Sequence, residues 1–243
     1  MKRNFVQKHL ILCSLIIFCF VFIPSIQDSY GQAKSDDISV KVEEKKEVIN
    51  KKTVVIDAGH GGYDGGSESR TNSEIIEKNI ALDVSLKIGA YLEKHNINVV
   101  YTRTSDSVSW SENNAEDLIA RSNIANNANA NCFVSIHTNY SEDDQDQVKG
   151  NEVWLRYTND DNIKLASAIN DELSKLTYTE NRGLKDEAIS PLSLLRFNKM
   201  PSVLIELGFL SHRGDTEALS SSSIQTQIAT SIGNGILSSL EGK

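Results

Sequence analysis

The chain has 243 residues, of which 39% are hydrophobic and 24% are charged, and its formal net charge at pH 7 is -8. This composition is typical of a globular protein with a sizeable core and excludes a disordered chain. The acidic chain has no basic run interleaved with aromatic residues, so we expect no nucleic-acid partner.

The N-terminal segment has the features of an export signal. Three basic residues among the first eight precede an uncharged stretch at 10–23, which Pro24 ends. That stretch is short for a membrane span and typical of a signal peptide. We therefore predict that residues 1–33 form a signal peptide, cleaved after Ala33, or an anchor that attaches the protein to the membrane through residues 10–23. Either way, the rest of the chain is exported and is secreted or membrane-anchored.

The next segment, residues 34–52, is dominated by charge. It has 11 charged residues out of 19, and we interpret it as a solvated stalk. We expect residues 53–243 to form one folded domain. Cys132 is the only cysteine outside the uncharged N-terminal stretch, so a chain that has lost its signal cannot form an internal disulfide.

Beyond the stalk, short apolar strands alternate with amphipathic helices. Strands are predicted at residues 54–56, 99–102, 132–136, 152–157 and 203–205. Helices are predicted at residues 73–94, with Ser73 as the N-cap, and at 115–127, 163–176 and 224–240. This alternation predicts an α/β fold in which helices flank a mainly parallel sheet.

Chemically reactive side chains follow three of these strands. The first strand leads into a glycine-rich loop that contains His60, the third leads directly to His137, and the fifth leads directly to Glu206. Ligands of open α/β sheets bind beyond the carboxyl ends of the strands. We therefore expect these side chains to meet at one edge of the sheet if their strands are parallel neighbours. Glu77, early in the first helix, would lie at the same edge.

Two histidines and two glutamates at one edge predict a catalytic zinc site. Two histidines and one glutamate leave an open fourth position on zinc, and the other glutamate can act as a general base for water. Glu74 competes with Glu77 as the ligand because it lies one turn earlier. The alternatives are that His137 is a structural histidine and that the loop around His60 cradles phosphate, although the loop lacks the complete glycine pattern.

Seven motifs occur in a fixed order: VVIDAGHGGYDGG (54–66), EKNIAL (77–82), TRTSD (102–106), ARSNIAN (120–126), FVSIHTN (133–139), RGLK (182–185) and KMPSVLIELGFLS (199–211). Together they resemble the zinc-dependent N-acetylmuramoyl-L-alanine amidases, which are autolysin-type cell-wall hydrolases. The resemblance covers about residues 53–243. It implies a mixed six-stranded sheet flanked by helices in a single catalytic domain.

The resemblance also implies roles for individual residues. His60, Glu77 and His137 become zinc ligands, Glu77 is selected over Glu74, and Glu206 becomes the catalytic carboxylate. The implied reaction is hydrolysis of the amide bond between N-acetylmuramic acid and the L-alanine of the stem peptide in peptidoglycan. Other exported zinc amidases or peptidases, and a non-catalytic wall-binding domain, remain alternative functions.

Further residues receive weaker expectations. Asn139 and Arg196 lie close in sequence to the predicted site and are candidates for substrate contacts. Arg103, Asp106 and Arg121 match the family pattern, and we expect them to form a structural ion-pair network. No wall-binding repeat is present in the sequence, so targeting would come from the membrane segment, from the cleft itself or from a regulatory protein partner.

Overall fold

The computed structural model describes residues 51–142, 146–158, 160–190 and 192–241. The predicted signal segment and nearly all of the predicted stalk lie outside the described residues, so both stay predictions. No helix within those ranges is both long and apolar enough to cross a membrane.

Six strands form one sheet, with helices on both of its faces. The strands are β1 (Thr53–Ala58), β2 (Asn98–Tyr101), β3 (Cys132–Asn139), β4 (Asn151–Leu155), β5 (Asn181–Asp186) and β6 (Ser202–Phe209). The helices are α1 (Glu77–Lys94), α2 (Asn114–Asn127), α3 (Asp160–Leu173), α4 (Ser193–Phe197), α5 (Arg213–Leu219) and α6 (Ser222–Glu241).

The order of the strands places three of them side by side at the centre of the sheet. The order is β2-β1-β3-β6-β4-β5. β4 runs antiparallel to β6, and all the other neighbours are parallel. The prediction of a mixed, mainly parallel, six-stranded sheet is therefore confirmed. Because β1, β3 and β6 are parallel neighbours, their carboxyl ends meet at one edge.

The core has two parts, one on each face of the sheet. Successive side chains of a strand point to opposite faces, and β1 shows this directly. Val54 and Ile56 pack with the apolar side chains of α1, α3 and α6, whereas Val55 packs with Phe133 and Leu194 beside α2 and α4. The helices α2 and α4 lie on this second face.

The first helix does not begin at the predicted residue. Ser73 was expected to cap it, but α1 begins at Glu77, and Ile76 precedes the helix in an extended conformation. The preceding segment instead forms a loop. Glu68 and Ile76 form an isolated antiparallel β-bridge, and the backbone N–H of Glu77 donates to Ser67 O at 2.9 Å. These two contacts place Glu77 at the first residue of α1.

Other elements were shifted or missed. α3 begins and ends three residues earlier than predicted, and β4 ends at Leu155 rather than at residue 157. The strand β5 and the helices α4 and α5 were not predicted. The sequence of β5, NRGLKD, has only one large apolar residue, so it carries almost no strand signal.

Candidate metal centre

Three side chains converge at the carboxyl edge of the sheet. Glu77 Oε1 lies 3.0 Å from His60 Nε2 and 3.1 Å from His137 Nδ1, and the two nitrogens lie 3.1 Å apart. These residues form a group whose ligand atoms could hold one metal ion. Donor atoms about 2.0–2.1 Å from a tetrahedral zinc ion are about 3.3 Å from each other. The donor set and its spacing therefore fit zinc.

Glu77 is held in place by the backbone as well as by the histidines. Its side chain is only 3% exposed. Oε1 accepts a hydrogen bond from Thr138 N at 2.9 Å, and Oε2 accepts one from Ser67 N at 2.8 Å. Burial would raise the pKa of this carboxyl, but the hydrogen bonds with His137 and His60 outweigh burial and hold its pKa far below the usual range. Glu77 therefore presents an ionised carboxylate to the two histidines.

Asp64 fixes the orientation of His60. Its Oδ2 lies 2.7 Å from His60 Nδ1, and its Oδ1 accepts from Gly66 N at 3.0 Å. A carboxylate bound to one imidazole nitrogen leaves the other nitrogen free for a metal. Burial would lower the pKa of His60, but the hydrogen bonds with Asp64 and Glu77 raise it to about 9. Sequence reasoning did not assign this role to Asp64.

Two loop glycines make room for the converging side chains. A Cβ atom at Gly59 would lie 2.4–2.7 Å from three ring atoms of His137. At Gly66, where φ is +66°, it would lie 2.7 Å from both Glu77 Oε2 and His60 Cδ2. The absence of a side chain at these two positions lets the glycine-rich loop pack closely against His137 of β3 and Glu77 of α1.

Two buried arginines donate hydrogen bonds to the main chain at the start of this loop. Arg103 donates to Ala58 O at 3.0 Å and to Gly59 O at 2.7 Å. Arg121 donates to Ala58 O at 3.0 Å and to His60 O at 2.8 Å. His60 has a φ of 58°, a left-handed conformation that costs a non-glycine residue about 1–2 kcal/mol. The bonds from the arginines offset that cost.

Arg121 is neutralised by buried carboxylates. It pairs with Asp57 at 3.2 Å and, through Nε, with Asp117. Asp57 also accepts hydrogen bonds of 2.6 Å from Thr102 and Ser135. The expected structural network is therefore present around Arg121, whereas Arg103 hydrogen-bonds to main-chain carbonyls.

Asp106 takes part in the same support of the loop. Its carboxylate lies 2.9 Å from Lys78 Nζ and accepts from Gly62 N at 3.0 Å. Lys78 Nζ also donates to Gly62 O at 3.0 Å. These contacts join the start of α1 to the glycine-rich loop, so the expected structural role of Asp106 is confirmed.

Glu206 lies beside the three converging residues. It pairs with His137 across β3 and β6, and with Glu152 across β4 and β6. Its Oε2 is buried and has no hydrogen-bond partner among the described residues. Burial raises the pKa of Glu206 well above its usual value, and the charges of Glu77 and Glu152 raise it further. Such a carboxyl can accept and return a proton.

The two residues that were predicted to contact substrate, Asn139 and Arg196, each lie beside a buried glutamate that forms ion pairs. Asn139 Nδ2 is 3.5 Å from Glu152 Oε2. Arg196 donates to Glu187 Oε2 at 2.8 Å. The structure adds the buried glutamates at both positions, Glu152 and Glu187, whose cationic partners lie on β5, directly after β4 and on α4.

Other chemically capable residues lie outside the convergent group. Glu74 is exposed. His95 bonds to the carbonyl of Tyr91 at 2.8 Å, and His212 accepts from Asp215 N at the start of α5. Cys132 is buried, and burial raises the pKa of its thiol to about 12. Among the described residues, Glu74 is therefore not part of the group that Glu77 forms with the two histidines, and neither are His95, His212 and Cys132.

Comparisons with known proteins match this chain to one protein family. The model of a protein family described as N-acetylmuramoyl-L-alanine amidase matches residues 54–238. The germination-specific N-acetylmuramoyl-L-alanine amidase of Bacillus subtilis (strain 168) is 31% identical over 196 residues, which are 78% of this chain and 80% of that relative.

Solved structures agree in sequence and in fold. The CwlD amidase from Clostridioides difficile, solved in complex with the GerS lipoprotein, is 35% identical with a TM-score of 0.73, and the match covers 79% of this chain and 100% of that one. The catalytic domain of CwlV, an N-acetylmuramoyl-L-alanine amidase from Bacillus (Paenibacillus) polymyxa var. colistinus, is 30% identical with a TM-score of 0.69. That match covers 79% of this chain and 99% of the other.

Proposed function

This chain belongs to the N-acetylmuramoyl-L-alanine amidase family, and we propose that it works with one zinc ion held by His60, Glu77 and His137. Its reaction is hydrolysis of the amide bond between N-acetylmuramic acid and L-alanine in peptidoglycan. One observation carries the proposal of zinc: three donor atoms of different residues lie 3.0–3.1 Å apart at the carboxyl edge of the sheet.

The protein residues divide the work between binding and proton transfer. When bound, zinc supplies an activated water molecule and a positive charge that polarises the scissile carbonyl group. Glu206 accepts the proton of the attacking water and returns it to the amine of L-alanine as that amine leaves. Its place beside His137 and its unpaired Oε2 support this role.

The surrounding residues hold the ligands ready for the metal. Asp64 keeps a proton on His60 Nδ1, so Nε2 presents its lone pair to the metal site. Thr138 N and Ser67 N keep the carboxylate of Glu77 in one orientation. The site is therefore arranged before a metal or a substrate arrives, which lowers the cost of ordering it.

Asn139 and Arg196 contact the substrate in this proposal. Asn139 follows His137 by two residues on β3 and is half-buried beside Glu152. Arg196 is on α4, and its side chain remains 46% exposed although it pairs with Glu187. Both side chains can therefore form hydrogen bonds to groups outside the protein.

Product analysis tests the reaction and the metal together. Purified protein should release new L-alanine amino termini from peptidoglycan and no new reducing sugar ends. A chelator should abolish the release, and added zinc should restore it. New reducing ends would indicate a glycosidase, and cleavage within the peptide would indicate a peptidase. Activity that survives complete removal of metal would overturn the zinc proposal.

The location of the substrate sets a requirement on the location of the enzyme. Peptidoglycan lies outside the cytoplasmic membrane, so we propose that residues 1–33 direct export and that residues 10–23 provide any membrane attachment. Because the CwlD relative was solved with a lipoprotein, we also propose an accessory protein for this chain. Cell fractionation tests export, since recovery of the chain only from the cytosol would contradict it.

A further inference from the structure

The edge strand β5 turns two cationic side chains toward one face of the sheet. The pairing of β4 with β5 shifts by one residue near the start of both strands, and Gly183, with a φ of 76°, lies at the shift. An extra residue in one strand interrupts the regular alternation of side chains. Arg182 Nε and Lys185 Nζ therefore approach the same carboxylate oxygen of Glu152, at 2.6 Å and 3.9 Å.

This face is the one that carries Glu206. Glu152 lies directly opposite Glu206 in the antiparallel pairing of β4 with β6, and paired residues point to the same side of a sheet. Trp154 Nε1 donates to Glu152 Oε2 at 3.0 Å, which places the indole ring on that side too. The two cations thus lie next to the proposed proton carrier.

A second pair of cations shares another buried carboxylate. Glu187 lies 3.1 Å from Arg156 Nε and 2.8 Å from Arg196 Nε. Its side chain is 7% exposed, and that of Glu152 is 5% exposed. The four cations are 30–46% exposed, and we call them the cationic face: Arg156, Arg182, Lys185 and Arg196. Four positive charges lie over two buried negative charges.

The other side of the site has a different character. A recess of about 170 Å³ adjoins His60 and His137 and is lined by Asp64, Asn114, Asp117, Leu118, Arg121 and Leu194. Arg121 is the only arginine or lysine among the residues that line it, and its guanidinium is engaged by two carboxylates and two carbonyls. The recess therefore offers a ligand no accessible arginine or lysine, whereas the cationic face has four.

We propose that the cationic face binds carboxylate groups of the peptide half of the substrate, and that the uncharged sugar half lies toward the recess. The carboxyl group of muramic acid is consumed in the scissile amide, so negative charge in the substrate belongs to the peptide. Arginine and lysine bind carboxylates through charge-assisted hydrogen bonds. The charge difference across the site thus selects an acidic peptide and sets the direction in which the substrate lies. This inference rests on the proposed function.

The test compares two synthetic muramoyl-peptides that differ only in charge. One has free carboxyl groups after its L-alanine, and the other has carboxamides at the same places. The acidic form should have a KM about tenfold lower, and added salt should reduce that difference. Equal KM values at low salt, or a lower KM for the amidated form, would overturn the proposal.

Two variants test whether the cationic face causes this difference in KM. Lys185→Gln and Arg196→Gln each leave a buried glutamate with its other cation, so the fold should be retained. Each variant should raise the KM of the acidic peptide about fivefold to tenfold, raise the KM of the amidated peptide by a smaller factor, and affect kcat less than KM. Lys164→Gln on α3 is the matched control because α3 packs against the opposite face of the sheet, and its KM values should equal those of the wild type.

The outcomes separate this inference from the proposed function. Loss of discrimination between the two peptides in Lys185→Gln, with zinc and hydrolysis intact, supports the cationic face. Full discrimination in both variants would overturn it while leaving the amidase activity in place. A wild-type protein that binds no zinc and cleaves neither peptide would instead overturn the proposed function.

Discussion

The two sides of the site use arginine in opposite ways. Behind the glycine-rich loop, Arg103 and Arg121 are 4% and 3% exposed and donate to main-chain carbonyls and buried carboxylates. Along β4, β5 and α4, the arginines of the cationic face keep about a third to a half of their side chains exposed. The first set supports the loop at the candidate metal centre, and the second set remains accessible to solvent.

The difference follows from where the charges lie. A desolvated arginine is stable only if its charge and its N–H groups are fully matched, and losing such a match costs several kcal/mol. In the cationic face each buried glutamate has two cations, so one of them can turn to a ligand while the other still neutralises the carboxylate. Residue type alone therefore does not separate the two sets of arginines, but burial does.

Removing Arg121 should have the largest effect on stability. Arg121→Met leaves Asp57 and Asp117 buried without their cation, so we expect the free energy of unfolding to fall by about 3–5 kcal/mol. Arg70→Met is the control, because Arg70 is exposed and bonds to the hydroxyl of Tyr140, and its loss should be below about 1 kcal/mol. Chemical denaturation measures both. Equal losses in the two variants would contradict the contrast between buried and exposed arginines.

A methyl group in the glycine-rich loop should disturb the metal centre without removing a charge. At Gly59 the added Cβ would clash with the ring of His137, whereas at Gly65 its nearest contact is an ordinary 3.5 Å to Ile76. Displacing a positioned group by about 1 Å can cost about 100-fold in rate. We therefore expect Gly59→Ala to lower kcat about 100-fold and Gly65→Ala to change it little. A Gly59→Ala enzyme with normal kcat would show that the loop is not tightly fitted to His137.

The smallest of these effects concerns Asp64. Replacing a carboxylate that orients a metal-bound histidine costs about 10- to 100-fold in metal affinity, so Asp64→Asn should weaken zinc binding by that factor. Asp83→Asn, which removes the same charge from the exposed side of α1, should not. Competition with a coloured chelator measures both affinities. If Asp64→Asn binds zinc as tightly as the wild type does, Asp64 does not position His60.

The sequence predicted the elements whose pattern is local. β1, β3 and β6 are short buried apolar runs. In α6, buried apolar residues recur at helical spacing along a long helix. Hydrophobic periodicity was therefore enough to predict these elements. The convergence of His60, His137 and Glu206 followed from one rule about the carboxyl ends of parallel strands. The order β1-β3-β6 at the centre of the sheet satisfies the condition on which that rule depended.

What the sequence did not predict depends on contacts between distant segments. The start of α1 is set by Ser67 and Glu68 rather than by the capping preference of Ser73. β5 has few apolar residues and a bulge at Gly183, so neither its strand nor the common face of Arg182 and Lys185 could be inferred from alternation. The structure therefore adds the environment of each charge, which is the property that separates the two sets of arginines.

The central claim is that Glu77 binds zinc whereas Glu206 transfers the proton. Measuring the zinc content and kcat of two variants tests this claim most directly. Glu77→Gln replaces an anionic ligand with a neutral one, so the purified variant should lose both zinc and activity. Glu206→Gln leaves the three ligands intact and removes the proton carrier, so it should retain about one zinc per chain while kcat falls by about 10²–10⁴-fold. A Glu206→Gln enzyme that loses zinc, beside a Glu77→Gln enzyme that keeps both zinc and activity, would contradict the assignment.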